Sequence, residues 1–271
     1  MFYQNSIHEF NTLNFEKSKE YKYLAFSSSI GIEALICMCL KNKENVTSYS
    51  LTHGQNYINY NYYKPIDIIN AINICSDFKF VWGETQRIDL NKNYFFPLKK
   101  ILIGGNPKYK KQDVFKSNTC IGLVLLPRNA NYVTNKYLLD LLKKMNWDFI
   151  IKLHPSSKIN DYNEYLDFFK FTTTKEIRNV VLEEKISFAI SYNSAVYFEL
   201  ISFGIPCYRY GKYENEIFSG LQDKFNSKDE LASLLNSSHV FFENNKKEIN
   251  LILKNNLGLG INNYKNILHV R

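Results

Sequence analysis

The hydrophobic residues of this chain form short apolar runs, and each run ends abruptly in small or polar residues. Ile150 to Leu153 ends in His154-Pro155, and Ser187 to Ile190 ends in Ser191. Strands buried on both faces of a parallel sheet read as near-continuous apolar runs of this kind. Ligands of α/β proteins bind at the carboxyl ends of such strands. The pattern therefore predicts an α/β fold that delivers polar groups into a crevice.

In the front part of the chain, apolar strands alternate with helical segments. We predict strands at 23–26, 46–51, 78–82 and 100–103, and a buried helix at about 30–40. Strand, helix and strand in repetition imply a parallel sheet with right-handed crossovers. The segment Gln55 to Asn61 is polar and aromatic without period, which indicates a loop over the strand ends.

The alternation resumes after a polar stretch, Lys108 to Asp113, which we interpret as the domain boundary. The predicted strands are 120–126, 149–153, 171–173, 187–190 and 206–210, and the predicted helices are 137–145, 162–169, 177–184, 195–203, 229–235 and 248–253. We therefore expect two Rossmann-type parallel-sheet domains, at residues 1–115 and 116–271. The first of them is reduced in size.

Composition narrows the class of protein. Of the 271 residues, 45% are hydrophobic and 15% aromatic, which excludes a mainly disordered chain. The net charge of +8 favours attraction to phosphates or anionic lipid, but the lysines are spread along the chain, so we expect no nucleic-acid partner. The five cysteines lie in apolar runs without a Cys-x-x-Cys pair, which favours buried thiols in a reducing cytosol.

The sequence shows no targeting or membrane-spanning pattern. Met1 to Asn5 lacks the basic region that precedes the apolar core of a signal peptide. Tyr23 to Leu40 is the one candidate membrane span, but three serines at 27–29 and Glu33 interrupt it, so it reads better as a strand and a helix. We expect a cytoplasmic protein without a transmembrane helix.

Residues after two strands of the second domain predict a nucleotide-phosphate site. Ser191, Asn193 and Ser194 open a helix whose free N–H groups and dipole favour a phosphate, although these residue types are also preferred helix caps. His154, fixed by Pro155 behind it, is placed to offset the charge on a departing nucleotide. The alternative is a histidine that only caps its strand.

Two more residues are candidates on chemical grounds. Arg128 follows Pro127 at a strand end, where its bidentate fork would reach donor phosphates; an ordinary surface arginine is the alternative. His53, before Gly54, is the candidate general base, because an unperturbed pKa of about 6.5 suits removal of a hydroxyl proton. Its alternative is a structural histidine that turns the strand into Gly54.

Several common motifs do not occur. There is no Asp-x-Asp pair for a divalent metal, no Gly-x-Gly-x-x-Gly for a dinucleotide and no Gly-Lys-Ser/Thr P-loop. We therefore expect neither a metal nor a cofactor. Protein donors would then have to stabilise the leaving phosphate.

Together the motifs resemble those of bacterial GT-B glycosyltransferases that build surface polymers. The His-Pro motif stands here as Lys152-Leu153-His154-Pro155 and the Ser motif as Ser191-Tyr192-Asn193-Ser194, as in the sialyltransferase-like and Kdo-transferase families. The likeness extends to Pro127-Arg128, Phe203-Gly204-Ile205-Pro206 and Val81-Trp82-Gly83-Glu84.

The resemblance has two departures. None of the 11 glycines follows Asp or Glu, so the acidic base motif of the sialyltransferase-like families is missing. His53-Gly54 instead resembles the arrangement in teichoic-acid CDP-glycerol glycerophosphotransferases. The first domain is also shorter than a full Rossmann unit.

The resemblance implies a metal-independent, inverting glycosyltransferase. It would move a sugar from a nucleotide donor, for example a CMP-linked one, onto a glycan or glycolipid acceptor of a capsule or lipooligosaccharide. Residues 1–115 would present the acceptor and 116–271 would bind the donor, with Glu199 accepting hydrogen bonds from ribose hydroxyls unless it is an ordinary surface glutamate. The basic charge allows peripheral contact with the anionic inner membrane.

Two alternatives stay open. The chain could transfer glycerol or ribitol phosphate from a CDP-linked donor, in which case His53 would deprotonate the acceptor and attack would fall on phosphorus. It could also be a non-catalytic subunit that keeps the fold and holds polymer or a partner enzyme.

Overall fold

The structure, a computed structural model, describes residues 15–26, 31–52, 74–106, 120–127, 132–155, 157–172, 176–192, 195–211, 221–258 and 262–269. The chain divides into two compact units. The first consists of Met1–Lys110 and Leu253–Arg271, and the second of Lys111–Ile252.

The first unit is built on a parallel sheet whose four described strands follow one another in chain order, β1-β2-β3-β4. Helices cross between β1 and β2 and between β3 and β4. The elements are β1 (Tyr21–Ala25), α1 (Gly31–Leu40), β2 (Val46–Ser50), β3 (Phe78–Val81), α2 (Glu84–Tyr94), a 3₁₀ turn (Leu98–Lys100) and β4 (Ile101–Ile103).

The second unit has a parallel sheet of six described strands in the order β10-β9-β8-β5-β6-β7. The strands are β5 (Ile121–Leu125), β6 (Asp148–Lys152), β7 (Lys170–Thr172), β8 (Phe188–Ser191), β9 (Cys207–Tyr210) and β10 (Lys224–Phe225). Counted within the unit, this is the doubly wound 3-2-1-4-5-6 order of a Rossmann fold.

Helices connect these strands and complete the chain. They are α3 (Tyr132–Leu142), a 3₁₀ helix (Ile159–Tyr165), α4 (Ile177–Glu183), α5 (Ala195–Ser202), α6 (Lys228–Asn236), a 3₁₀ turn (Ser238–Val240), α7 (Phe241–Asn244), α8 (Lys246–Leu257) and α9 (Asn262–Leu268). None of the described helices is long and apolar enough to cross a bilayer.

The central strands of the second sheet are buried on both faces, as the apolar runs predict. Val124, Ile151 and Ile190 are all inaccessible to solvent. Gly122 on β5 leaves room for an aromatic ring, because a Cβ there would lie 2.5 Å from the Phe188 side chain. Phe188 packs edge-on against Phe149. The core of this unit therefore holds the three central strands in a fixed register.

The C-terminal segment packs on the first unit. A Cβ on Gly83 would lie 2.0 Å from the backbone oxygen of Asn255, so the backbones of these two residues are in direct contact. Tyr264 packs on Phe80 with ring centroids 4.8 Å apart and the rings tilted by 43°, and its hydroxyl donates to the Gly105 carbonyl at 2.6 Å. Residues 253–271 thus belong with the first unit, whereas the predicted division placed them in the second domain.

Most predicted elements of the described region are present, but some differ. The predicted α-helix at 162–169 is the 3₁₀ helix Ile159–Tyr165 and a turn, because Tyr162 has non-helical backbone angles. Helix α2 was not predicted, since its sequence is polar with little apolar periodicity. The two-residue strand β10 and helix α9 were also missed. The predicted loop at Gln55 to Asn61 lies outside the described residues.

One buried cation breaks the apolar pattern of the first sheet. Lys79 on β3 is only 9% exposed, and its Nζ donates to the Leu51 carbonyl at 3.4 Å, a long hydrogen bond. Burial lowers the pKa of Lys79 to about 8, because removing the ammonium from water disfavours its charged form. The folded first unit therefore carries the cost of a desolvated charge at neutral pH.

That cost makes the stability of the parent protein depend on pH. Between the folded pKa of about 8 and the unfolded value of 10.5, the unfolded chain binds more protons at Lys79 than the folded chain does. The free energy of unfolding should therefore rise with pH across this window. Lys79→Met should be more stable than the parent at pH 7, and the difference should shrink toward pH 10.5.

Urea unfolding of both proteins at matched pH values measures this difference. Lys99→Met, which removes an exposed lysine of the same unit, is the control and should show no such trend. If Lys79→Met is less stable than the parent at every pH, the ammonium stabilises the fold and the desolvation argument is wrong.

Candidate functional site

The candidate site lies where the strand order of the second sheet reverses. Chain connections leave in opposite directions from β5 and β8, and ligands of doubly wound folds bind in the crevice at that switch point. The register places Val124 of β5 level with Ile151 of β6 and with Ile190 of β8. The residues that follow these three strands therefore emerge side by side at one edge of the sheet.

His154 emerges next to the switch point. It is the second residue after β6 and is half-buried. The ladder continues past the strand, because Leu126 N–H donates to the Lys152 carbonyl at 3.0 Å and Leu153 N–H donates to the Thr172 carbonyl at 3.0 Å. A turn then closes with the Ser157 N–H donating to the His154 carbonyl at 2.8 Å. The backbone of His154 is thus fixed at the predicted edge, while its phosphate contact stays a prediction.

A buried amide ties the loops after β5 and β6 to each other. Asn135 of α3 donates through Nδ2 to the Tyr162 hydroxyl at 2.9 Å and to the Pro127 carbonyl at 3.4 Å. Asn135 and Tyr162 are both inaccessible to solvent. Asn135 thus connects the end of β5 to the 3₁₀ helix that follows the His154 turn. No local sequence pattern marks Asn135 or Tyr162.

Ser191 ends β8 with its side chain in the core. Its hydroxyl donates to the Tyr192 carbonyl at 3.0 Å and accepts from the Cys207 thiol, with 3.5 Å between Sγ and Oγ. Burial raises the pKa of the Cys207 thiol to about 12, so the thiol stays neutral. The Ser191 hydroxyl is thus used inside the domain, and this geometry favours a structural role for it.

Helix α5 begins at Ala195, directly after the Ser motif, as the sequence predicts. Glu199 is exposed on this helix, while Tyr197, Phe198 and Leu200 beside it are inaccessible to solvent. The carboxylate is thus on the outer face of α5. Its contact with a ribose stays a prediction.

Four predicted site residues lie outside the described residues, namely His53, Arg128, Asn193 and Ser194. The chain is described up to Thr52 before His53, where the Thr52 hydroxyl donates to the Phe80 carbonyl at 2.7 Å. This bond fixes the end of β2 against β3. The roles of all four residues stay predictions.

Tyr192 spans the switch point and was not predicted to have a role of its own. Its hydroxyl donates to the Thr134 carbonyl in the first turn of α3 at 3.3 Å, and its ring packs edge-on against Tyr210. Burial raises the pKa of Tyr192, so the hydroxyl remains a donor at any physiological pH. The side chain therefore links the chain after β8 to the helix that follows β5.

A second missed feature is a buried ion pair at the end of β9. Arg209 and Asp223 form a bidentate pair, and Tyr197 of α5 donates to the same carboxylate. The sequence signal was an arginine inside the otherwise apolar run Cys207 to Tyr210. Among the described residues, no group of three or more His, Cys, Asp or Glu could hold a metal ion.

Comparison by sequence identifies no relative: no protein-family model matches the chain, and no curated protein matches it significantly. Comparison by structure does find similar folds. UDP-GlcNAc 2-epimerase from Neisseria meningitidis bound to UDP-GlcNAc has a TM-score of 0.62 at 15% identity, over 98% of this chain and 80% of that chain.

Two further solved structures are similar as well. A mutant of S. aureus TarM in complex with Fondaparinux, alpha-GlcNAc-glycerol and UDP has a TM-score of 0.56 at 15% identity, over 83% of this chain and 51% of that chain. The wall teichoic acid polymerase TagF with CDPG has a TM-score of 0.54 at 12% identity, over 92% of this chain and 71% of that chain.

The similarity establishes the fold. This chain matches about half the length of TarM. The described strands form two parallel sheets, and the structurally similar proteins have the GT-B fold with Rossmann-like domains. These findings confirm the predicted fold class. The chain has a GT-B-like α/β fold.

Proposed function

We propose that this protein is a glycosyltransferase that transfers a sugar from a nucleotide donor to a bacterial surface glycan. The observation that carries the proposal is the edge of the second sheet, where His154 emerges beside the switch point and α5 begins directly behind the Ser motif. The similarity to TarM, which was crystallised with UDP, and to the polymerase TagF supports a role in surface-polymer synthesis.

The second unit would hold the donor. Backbone N–H groups at the start of α5, together with Asn193 and Ser194, would bind the donor phosphates, because a helix N-terminus carries free donors and a positive partial charge. His154 would offset the charge that grows on the departing nucleotide. Arg128 would add a bidentate contact, and the exposed Glu199 would accept hydrogen bonds from the ribose.

The first unit would present the acceptor. His53 would remove the proton of the acceptor hydroxyl, which would then displace the nucleotide directly and invert the anomeric centre. The leaving phosphate would be stabilised by protein donors alone, so the reaction would not need a metal. We propose a CMP-linked sugar as donor and a capsule or lipooligosaccharide glycan as acceptor.

A second candidate is transfer of a glycerol or ribitol phosphate, and the similarity to TagF with CDPG favours it. His53 would again deprotonate the acceptor hydroxyl, but the hydroxyl would attack phosphorus. The donor nucleotide would still leave from the same edge of the second sheet. The two reactions differ in whether the phosphate next to the transferred group stays with the product.

The nucleotide site can be tested by thermal unfolding with CMP, CDP, UDP and GDP in the presence of EDTA. One nucleotide should stabilise the parent, since a ligand at one hundred times its Kd contributes about 2.7 kcal/mol. His154→Ala should lose most of this stabilisation while its melting temperature without nucleotide stays close to that of the parent. Stabilisation that disappears with EDTA and returns with magnesium would contradict the metal-free mechanism.

His239→Ala is the matched control, because His239 is an exposed histidine of the second unit in the 3₁₀ turn Ser238–Val240. It should respond to nucleotide as the parent does. If His154→Ala also responds normally, or only unfolds earlier, His154 is structural. Absence of any nucleotide response in the parent would instead favour a non-catalytic role.

Replacing the proposed base should separate chemistry from binding. His53→Ala should keep nucleotide affinity but lower kcat by about 10²- to 10⁴-fold, the usual loss on removing a general base. The parent's rate should also fall on the acid side near the pKa of a histidine, because protonated His53 cannot accept the hydroxyl proton. Steady-state rates across pH 5–9, roughly the range over which histidines titrate, measure both effects.

A fully active His53→Ala enzyme would mean that another group is the base. Glu84 would then be examined first, because it begins α2 at the end of β3. In the structure its carboxylate pairs with Arg87 at 2.6 Å.

We further propose that the first unit makes peripheral contact with an anionic membrane. Exposed apolar side chains and lysines are close in sequence along α2 and the 3₁₀ turn after it: Ile88, Lys92, Phe95, Leu98, Lys99 and Lys100. Phe95 is 86% exposed. Aromatic and basic side chains combined are typical of surfaces that bind lipid headgroups.

Flotation with vesicles tests this contact. The parent should bind vesicles that contain anionic lipid and release them at high salt, because salt screens the charge attraction. Phe95→Ser should bind more weakly, whereas Phe168→Ser, at an exposed phenylalanine of the second unit, should bind as the parent does. Equal binding by both variants would show that this surface does not contact the membrane.

A further inference from the structure

The core of the second unit contains a three-membered polar network. The guanidinium of Arg209 donates to both oxygens of Asp223, from Nε to Oδ2 at 2.8 Å and from Nη2 to Oδ1 at 2.5 Å. The Tyr197 hydroxyl donates to Oδ2 at 2.5 Å. The Arg209 side chain is 4% exposed and that of Asp223 is fully buried.

The network joins three elements that are distant in sequence. Tyr197 belongs to α5, Arg209 to β9, and Asp223 to the segment directly before β10. A backbone bond strengthens the junction, because Arg209 N–H donates to the Asp223 carbonyl at 2.7 Å. The Arg209 guanidinium also lies 5.9 Å from the centre of the Tyr197 ring. Helix α5 is thus attached to the sheet by directional contacts as well as by packing.

Directional contacts fix the rotation and position of a helix, which apolar packing alone does not. The inner face of α5 otherwise presents Phe198, Leu200 and Ile201, whose contacts are non-directional and tolerate small rotations and shifts. A buried ion pair is weak evidence for stability, because desolvation offsets much of its attraction. The ion pair affects geometry more than stability. Its carboxylate accepts a charge-assisted hydrogen bond from Tyr197, and this bond fixes the Tyr197 hydroxyl at one point beside β9.

The position of this fixed point matters for the proposed nucleotide site. Successive helix residues are about 100° apart, so Glu199, two residues after Tyr197, projects from nearly the opposite side of α5. The burial agrees with this geometry, since Tyr197 is buried and Glu199 exposed. Arg209 is itself paired in register with Ser191, the last residue of β8 before the Ser motif. Holding Tyr197 therefore sets the direction of Glu199 and the place where α5 begins.

We propose that Tyr197, Arg209 and Asp223 are positioning residues that fix α5 on the sheet. None of them is a catalytic residue. In the protein that we propose as a nucleotide-dependent transferase, this network sets the affinity for the nucleotide through the orientation of α5. The fixing of α5 itself does not depend on that function.

Tyr197→Phe tests the proposal, because it removes the hydroxyl and leaves the ion pair in place. Tyr208→Phe is the matched control: Tyr208 is equally buried in the same unit, but its hydroxyl donates to the Leu234 carbonyl of α6 at 3.1 Å. Asp223→Asn is unsuitable, since it would leave the Arg209 charge buried without its counter-ion and strongly destabilise the domain.

The first measurement is amide hydrogen exchange of the full chain, read on peptides that cover α5. Exchange in α5 should be faster in Tyr197→Phe than in the parent, and unchanged in Tyr208→Phe, because only the first variant releases this helix. Similar exchange of α5 in both variants would overturn the proposal. This result does not depend on whether nucleotide binds.

The second measurement is the affinity for the nucleotide that stabilises the parent. Tyr197→Phe should bind it about 2- to 30-fold more weakly, the range expected when a residue acts through another element, and Tyr208→Phe should bind it normally. At saturating donor, kcat of Tyr197→Phe should stay near that of the parent. Unchanged affinity in Tyr197→Phe would refute the link to the nucleotide site, while failure of the parent to bind any nucleotide would refute the proposed function instead.

Discussion

The second unit depends on the parallel pairing of β5 with both β6 and β8. This pairing buries three apolar strands on both faces and brings their carboxyl ends to one edge. Because all connections between parallel strands must return over the faces of the sheet, helices cover those faces and the edge remains the place for polar groups. His154 and Tyr192 lie at that edge as a direct result.

The loops at this edge are restrained by the same structure. Hydrogen bonds continue one residue beyond β5 and β6, and Asn135 joins the two loops through Pro127 and Tyr162. Tyr192 makes the corresponding link from β8 to α3. A preorganised edge of this kind suits a site that must stabilise charge on a leaving phosphate, since fixed donors need no reorganisation during the reaction. We propose the nucleotide site at this edge for that reason.

Much of the fold could be predicted from the sequence because buried parallel strands leave a local signal. The segments that form β5, β6 and β8 are apolar runs that end in polar residues. This pattern predicted both the strands and the position of His154 at a strand end. Helix α2 left no such signal, because its exposed face dominates its composition. The packing of Tyr264 on Phe80 and the Tyr197–Asp223 bond join residues far apart in sequence, and no local pattern indicates such partners. The sequence does mark the two buried cations, because Lys79 and Arg209 are single charged residues inside apolar strands.

These two buried cations show how each sheet accommodates a charge. An arginine cannot lose its proton in a protein, so burial of Arg209 requires a carboxylate, and Asp223 supplies one in bidentate geometry. A lysine can become neutral when buried, so Lys79 persists with one long bond to a carbonyl and a pKa of about 8. The arginine pair fixes the position of its neighbours at every physiological pH, whereas the lysine charge varies near neutrality. The pH-independent arginine pair therefore holds α5 in the second unit, where we propose that the donor phosphates bind.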